Sequence, residues 1–126
     1  MSQKIVVITG TSSGLGFATT KRLIAGGYRV VGVARRTVSA TDLGVDASSY
    51  DHIEFDLKNI SQIPELASTI IKQQGKPYAL VNNAAIGTDG LLPTMHNSDI
   101  EGILDLNVLA PILLISVLKA TNSFCT

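Results

Sequence analysis

The chain has 126 residues, enough for one domain with a real core, and its 10 basic and 10 acidic side chains cancel to a formal net charge of zero. That balance excludes bulk attraction to nucleic acid or to an anionic membrane surface, so a partner must be recognised locally. Apolar residues make up 45% and charged residues 16%, which matches a cytosolic α/β domain, and a single cysteine, Cys125, excludes an intrachain disulfide or a multi-cysteine metal site.

The N-terminal stretch offers Lys4 and then a run of four apolar residues at 5–8, too brief for a signal-peptide core and ended by a glycine turn, which implies a cytoplasmic protein. The run itself predicts a strand buried on both faces of a parallel sheet. After the turn, Phe17, Leu23 and Ile24 fall on one side of a helix that Gly26 and Gly27 close. A second apolar strand is expected over 29–34, completing a strand–helix–strand unit. Residues 35–51 are rich in Ser, Thr, Asp and Gly and read as a loop with at most a short helix, followed by an alternating third strand at 52–57.

Over 60–74, Ile63, Leu66, Ala67, Ile70 and Ile71 recur at helical spacing, so an amphipathic helix is expected, ended by Gly75. Pro77 precedes a fourth strand at 78–81, and 82–90 reads as a polar crossover loop. The last helix starts at Asn97 or Ser98, with Glu101 completing a capping box to Ser98, and runs to about residue 122. Its apolar stretch 103–118 contains Asp105, Asn107 and Pro111, which favours a buried helix of a soluble protein over a membrane span. Right-handed crossovers then give an α/β, Rossmann-type, doubly wound parallel sheet of strand order 3-2-1-4, with only its first half present. Ligands of such sheets lie at the carboxyl ends of the strands, near the switch between strands 1 and 4.

The turn after the first strand reads Thr9-Gly10-x-x-x-Gly14-x-Gly16, which is neither G-x-G-x-x-G nor a P-loop, since no Lys follows Gly16. Unpaired backbone N–H groups and about half a positive charge at the helix N-terminus suit a phosphate-bearing ligand there. This TGxxxGxG pattern, with Asn82-Asn83-Ala84-Ala85 after the fourth strand and Leu106-Asn107-Val108 in the last helix, resembles the short-chain dehydrogenase/reductase family. The resemblance covers essentially the whole chain and implies that Gly10, Ser12, Ser13, Gly14, Leu15 and Gly16 carry the pyrophosphate of a nicotinamide dinucleotide.

At the end of strand 2, Arg35 and Arg36 stand where folds that prefer NAD usually place an acid. A guanidinium would attract a 2′-phosphate, so Arg35 points to NADP(H), with Arg36 as a second contact or a stacking partner for adenine. Asp56 and Leu57, at the end of strand 3, could meet the adenine, or Asp56 could simply satisfy turn N–H groups. Tandem asparagines after a buried strand must either lock the turn or meet a ligand. By resemblance, Asn82 supports the sheet, Asn83 with Ala84 lines the adenine ribose, and Ala85 belongs to the cofactor-binding set. Ala85 departs from the family's usual glycine, at a cost of about 1 kcal/mol if that position needs a positive φ. The resemblance assigns Asn107 to the catalytic group, its backbone holding a water; the alternative is an asparagine tolerating a bend ahead of Pro111. His52, His96 and Met95 read as ordinary loop residues, and no metal site is expected.

The family's catalytic Ser and Tyr-x-x-x-Lys are missing, since Tyr28, Tyr50 and Tyr78 are followed at the fourth position by Gly32, Glu54 and Asn82. The expectation is therefore the cofactor-binding half of an NADP(H)-dependent oxidoreductase acting on a small-molecule carbonyl or alcohol. By itself this truncated chain, whether a shortened gene product or a fragment, would be inactive. The alternative is a non-catalytic dinucleotide-binding or interaction module. An exposed fourth strand and an uncovered last helix would favour self-association into a homo-oligomer.

Overall fold

Strands β1 (Ile5–Thr9), β2 (Arg29–Ala34), β3 (Tyr50–Glu54) and β4 (Ala79–Val81) form one parallel sheet of order β3-β2-β1-β4 in the computed structural model, which describes residues 3–12, 14–84 and 96–120. Ser13, Ala85, Met95 and Cys125 lie outside the described residues. Helix α1 (Gly14–Ala25) links β1 to β2, the short α2 (Ala40–Leu43) precedes β3, and α3 (Ile63–Gln74) links β3 to β4. The last helix comprises α4 (Asn97–Leu104), a π-helical turn (Asp105–Leu109) and α5 (Ala110–Ala120). The strand order is the expected one.

Alternate residues of each strand feed two cores, as the two-residue period of a strand requires. On one face Val7, Val31 and Val33 pack with Ile63, Leu66 and Ile70 of α3 and with Leu106, Ala110 and Leu114 of the last helix. On the other, Val6, Ile8 and Val30 pack with Tyr50, Val38 and Leu43, with Phe17, Leu23 and Ile24 of α1 laid against them. Each fully buried Val, Leu or Ile contributes about 1.5–3 kcal/mol, so burial on both faces is what holds the helices to the sheet.

Three expectations need correction. β3 begins at Tyr50 and ends at Glu54, because Tyr50 pairs with Val30 and the chain turns away after Phe55 N–H bonds Ala34 O at 3.1 Å. His52 is therefore a strand residue. The capping box at Ser98 does not form, since α4 begins at Asn97 with His96 at its N-cap and no side-chain cap. A capping box closes instead at Ser39 and Asp42, whose exposed carboxyl is held below its ordinary pKa by the Ser39 backbone N–H and hydroxyl.

The last helix is also not buried all round. It lays Leu106, Ala110, Leu114 and Leu118 inward, while Leu104, Val108, Leu109, Ile112 and Ile115 are exposed. Its length and composition alone would suffice to cross a membrane, with 17% of its most apolar window buried. Among the described residues β4 pairs only with β1, leaving one edge open as anticipated.

Candidate functional site

The first turn after β1 is shaped by close backbone approach. Gly10 has φ 76° and its N–H bonds Val33 O at 2.8 Å, which draws the turn onto the end of β2. A Cβ at Gly10 would lie 3.0 Å from both Ala84 Cα and Asn83 Nδ2, and one at Gly16 would lie 2.0 Å from Gly10 O. These two glycines therefore let the turn, α1 and the segment after β4 meet at one point.

That segment is tied down by Thr9. The buried Thr9 Oγ1 accepts from Asn83 N–H and from Ala84 N–H, both at 3.0 Å, and Asn83 Nδ2 donates to Gly10 O at 3.2 Å. The Asn83 side chain thus locks the turn, one of the two roles its sequence position left open. Asn82 is exposed beside it.

The carboxyl ends of the strands enclose a cavity of about 310 Å³, at the lower end of the ~300–1,000 Å³ of small-molecule sites. Gly10, Ser12, Arg35, Arg36, Asp56, Leu57, Asn83 and Ala84 all line it, so eight of the sequence candidates converge on one space. Gly14, Leu15 and Gly16 form the first turn of α1 beside the cavity, with Leu15 exposed and Gly16 buried. A Cβ at Gly14 would meet nothing, so that turn is open to a ligand's approach. Lys58, Phe55 and Leu106 also line the cavity and were not singled out in the sequence. Lys58 could have been: its N–H bonds Asp56 Oδ1 at 3.0 Å in the turn that ends β3, so the Asp56-Leu57-Lys58 run wraps the rim. That bond also gives Asp56 the turn-satisfying role weighed for it. Arg35, Asp56, Glu54 and Asn59 line a shallower depression alongside.

Asn107 is half-buried in the π-helical turn and does not line the cavity, although its neighbour Leu106 does. The turn has an identifiable cause. Pro111 has no N–H for the carbonyl of Asn107 and its ring crowds it, and the ladder shifts register locally, with Ala110 N–H bonding Asp105 O.

Behind the cavity, a polar chain crosses the α1 face of the sheet. Thr11 Oγ1 lies 3.0 Å from Tyr50 Oη, Tyr50 Oη lies 2.7 Å from His52 Nδ1, and His52 Nε2 lies 3.3 Å from Ala34 O. Burial raises the Tyr50 pKa above its ordinary value, keeping it a hydroxyl donor, and burial lowers that of His52, favouring the neutral ring.

Comparison with known proteins bears on this site. A family model described as short chain dehydrogenase matches residues 4–121. The NADPH-dependent pterin aldehyde reductase of Arabidopsis thaliana is 34% identical over 112 residues, covering 86% of this chain and 46% of the relative. The crystal structure of a short-chain dehydrogenase from Streptomyces avermitilis superposes with a TM-score of 0.87 at 29% identity, covering 95% of this chain and 44% of that one. A metagenomic short-chain oxidoreductase in complex with NADP gives 0.85 at 28% identity, covering 95% of this chain and 57% of that one. The chain thus spans about half the length of the proteins it matches.

Proposed function

The chain belongs to the short-chain dehydrogenase family, and on that premise we propose that it holds the NADP(H)-binding half of an oxidoreductase that interconverts a small-molecule carbonyl and alcohol. The observation that carries this reading is that Arg35 and Arg36 line the same cavity as the glycine turn and the Asn83-Ala84 segment. A dinucleotide laid along the carboxyl ends of the strands would put its pyrophosphate against Gly10 and Ser12, with the first turn of α1 alongside, and its adenine between Asp56-Leu57 and Asn83-Ala84. A 2′-phosphate on that adenosine would meet Arg35, with Arg36 as a second contact, each charge-assisted bond contributing about 1.5–3 kcal/mol. Lys58 would add positive potential at the same rim.

A nicotinamide cofactor supplies hydride to a carbonyl, or accepts it from an alcohol, when bound. Asn107 is the one residue assigned to the catalytic group, acting through its backbone at the π-helical turn. The sequence contains no Tyr-x-x-x-Lys to move the accompanying proton, so binding without turnover is expected of these 126 residues. Ala85 stays a cofactor-binding candidate on the family resemblance alone. A cytoplasmic location and self-association through the exposed apolar surface of the last helix complete the reading. The NADPH dependence of the Arabidopsis relative and the NADP of the metagenomic structure favour the phosphorylated dinucleotide.

Isothermal titration of the chain with NADPH and NADH tests this. The expected result is tighter NADPH binding, with Arg35→Ala weakening NADPH by roughly ten-fold or more and leaving NADH within about two-fold. Equal affinity for the two dinucleotides would overturn the assignment of Arg35.

A further inference from the structure

Tyr50, His52 and Glu54 alternate onto one face of β3, and Gly32 is the partner of His52 in the register of β2 with β3. Because Gly32 lacks a Cβ, the Tyr50 ring can lie across it; a Cβ there would come within 2.0 Å of Tyr50 Oη and 2.6 Å of Thr11 Oγ1. The direction of every bond in the resulting chain is then fixed by chemistry. Ala34 O can only accept, so His52 Nε2 carries a proton, and in the neutral ring Nδ1 is then a lone pair. Tyr50 Oη donates to that lone pair and accepts from Thr11 Oγ1. Val38 N–H is directed at the same Nδ1 at 3.5 Å.

One imidazole therefore contacts the backbone on both sides of residues 35–37, Ala34 C=O before them and Val38 N–H after them. A third tie comes from Thr37 Oγ1, which donates to Glu54 Oε2 at 3.4 Å. The same imidazole reaches, through Tyr50, the buried Thr11 of the glycine turn. Arg35 and Arg36 themselves are exposed and depend on how this segment is held.

We propose that His52 is a positioning residue that clamps the Arg35-Arg36 segment in register with the glycine turn, and so determines preference for a 2′-phosphorylated adenosine. The proposal rests on the NADP(H) reading above. It requires a neutral ring protonated on Nε2, because an imidazolium has no lone pair for Tyr50 or Val38. The charged groups on the elements packed around the ring are Glu54 on β3, Arg35 and Arg36 on the following segment of β2, and Asp42 on α2; Asp51, on the opposite face of β3, pairs with Arg29. Burial favours the neutral form, and the hydrogen bond to Ala34 O and then the charge of Glu54 oppose it.

Titrations of NADPH and NADH on the wild type and on His52→Gln, from about pH 7.5 down to about pH 5.5, read the clamp directly. Gln can still donate to Ala34 O through Nε2, but its acceptor Oε1 does not stand where the ring places Nδ1. At the upper pH, His52→Gln is expected to weaken NADPH by about 5-fold and NADH by less than about 2-fold, and Tyr50→Phe to do the same. As pH falls, the NADPH-to-NADH affinity ratio should drop more steeply in the wild type than in His52→Gln, since protonation of the 2′-phosphate is common to both. An unchanged ratio in His52→Gln would overturn the proposal, while a wild type that binds no NADPH would overturn the cofactor reading on which it stands. Should the variants fail to fold, nitrogen NMR of the wild type, with its two histidines, decides: an Nε2–H neutral tautomer for His52 at neutral pH is expected, and an Nδ1–H tautomer or a charged ring would overturn the clamp.

Discussion

Replacing Gly32 by Ala perturbs the sheet at the point where the polar chain crosses it, and its effect can be worked from distances. The new Cβ would sit 2.0 Å from Tyr50 Oη, 2.6 Å from Thr11 Oγ1 and 2.8 Å from Tyr50 Cζ. To restore an ordinary contact the hydroxyl must retreat by about 1.4 Å. Tyr50 is 4% exposed and packed with Val30, Val38 and Leu43, so the retreat compresses the core and breaks its bonds to Thr11 and His52. Overpacking contributes about 1–3 kcal/mol and the lost hydrogen bonds about 0.5–1.5 kcal/mol each. We expect a total near 3 kcal/mol, which in a domain of this size lowers Tm by roughly 10–18 °C. Thermal and urea unfolding followed by circular dichroism measure it. Adding Tyr50→Phe removes the nearest atom and should recover about 1 kcal/mol, making the pair non-additive. A Gly32→Ala chain within about 0.5 kcal/mol of wild type would refute the argument that the glycine exists to seat Tyr50.

Further outcomes follow from the same geometry. Thr9→Val removes the common acceptor of the Asn83 and Ala84 N–H groups and should cost about 2–4 kcal/mol, with faster hydrogen exchange at both amides. Ser39→Ala should cost about 1 kcal/mol, read as local exchange in α2, and Asp42→Asn should speed the same exchange. Because burial lowers the His52 pKa, the folded chain binds fewer protons than the unfolded one below about pH 6.5; stability from this group is complete above that value and declines as pH falls toward the folded pKa. Denaturation midpoints across that window should slope upward with pH in the wild type and lose part of that slope in His52→Gln. Leu114→Ala should cost about 2–5 kcal/mol, since it opens a cavity between the last helix and α3.

Much of the architecture could be read from patterns that depend on near neighbours. The β-branched runs of β1 and β2 and the helical spacing of Ile63, Leu66 and Ile70 each report a local period, and the strand order follows from chirality once four strands alternate with helices. What escaped depends on partners far away in the chain. Tyr50 and Asp51 sit in a Ser- and Asp-rich stretch that reads as loop, yet they are strand because Val30 and Val31 lie opposite. Ser98 had the right residue three positions on, but α4 starts one residue before it. The real box at Ser39 uses Asp42, outside the usual Ser-x-x-Glu pattern.

The cavity was legible as a set of strand-end residues, because parallel sheets collect those ends. The His52 clamp was not, because nothing local announces that a glycine on the neighbouring strand, 18 residues before Tyr50, leaves room for its hydroxyl. Asn107 fell in the right helix, but the π-helical turn around it needed Pro111 to be considered as a missing donor and not only as a bend.

The two bonds that Thr9 accepts also say something about the order in which the molecule assembles. Their donors lie 74 and 75 residues further along the chain, so the β1 turn and α1, however quickly they form, do not make the cavity by local folding. The chain between must first close a long loop, which is entropically slow, and β4 must dock against β1. On the cofactor reading proposed above, binding competence arrives with β4. A dinucleotide bound as proposed would trap the assembled sheet and slow its unfolding, but would find no preformed half-site on which to template the earlier steps.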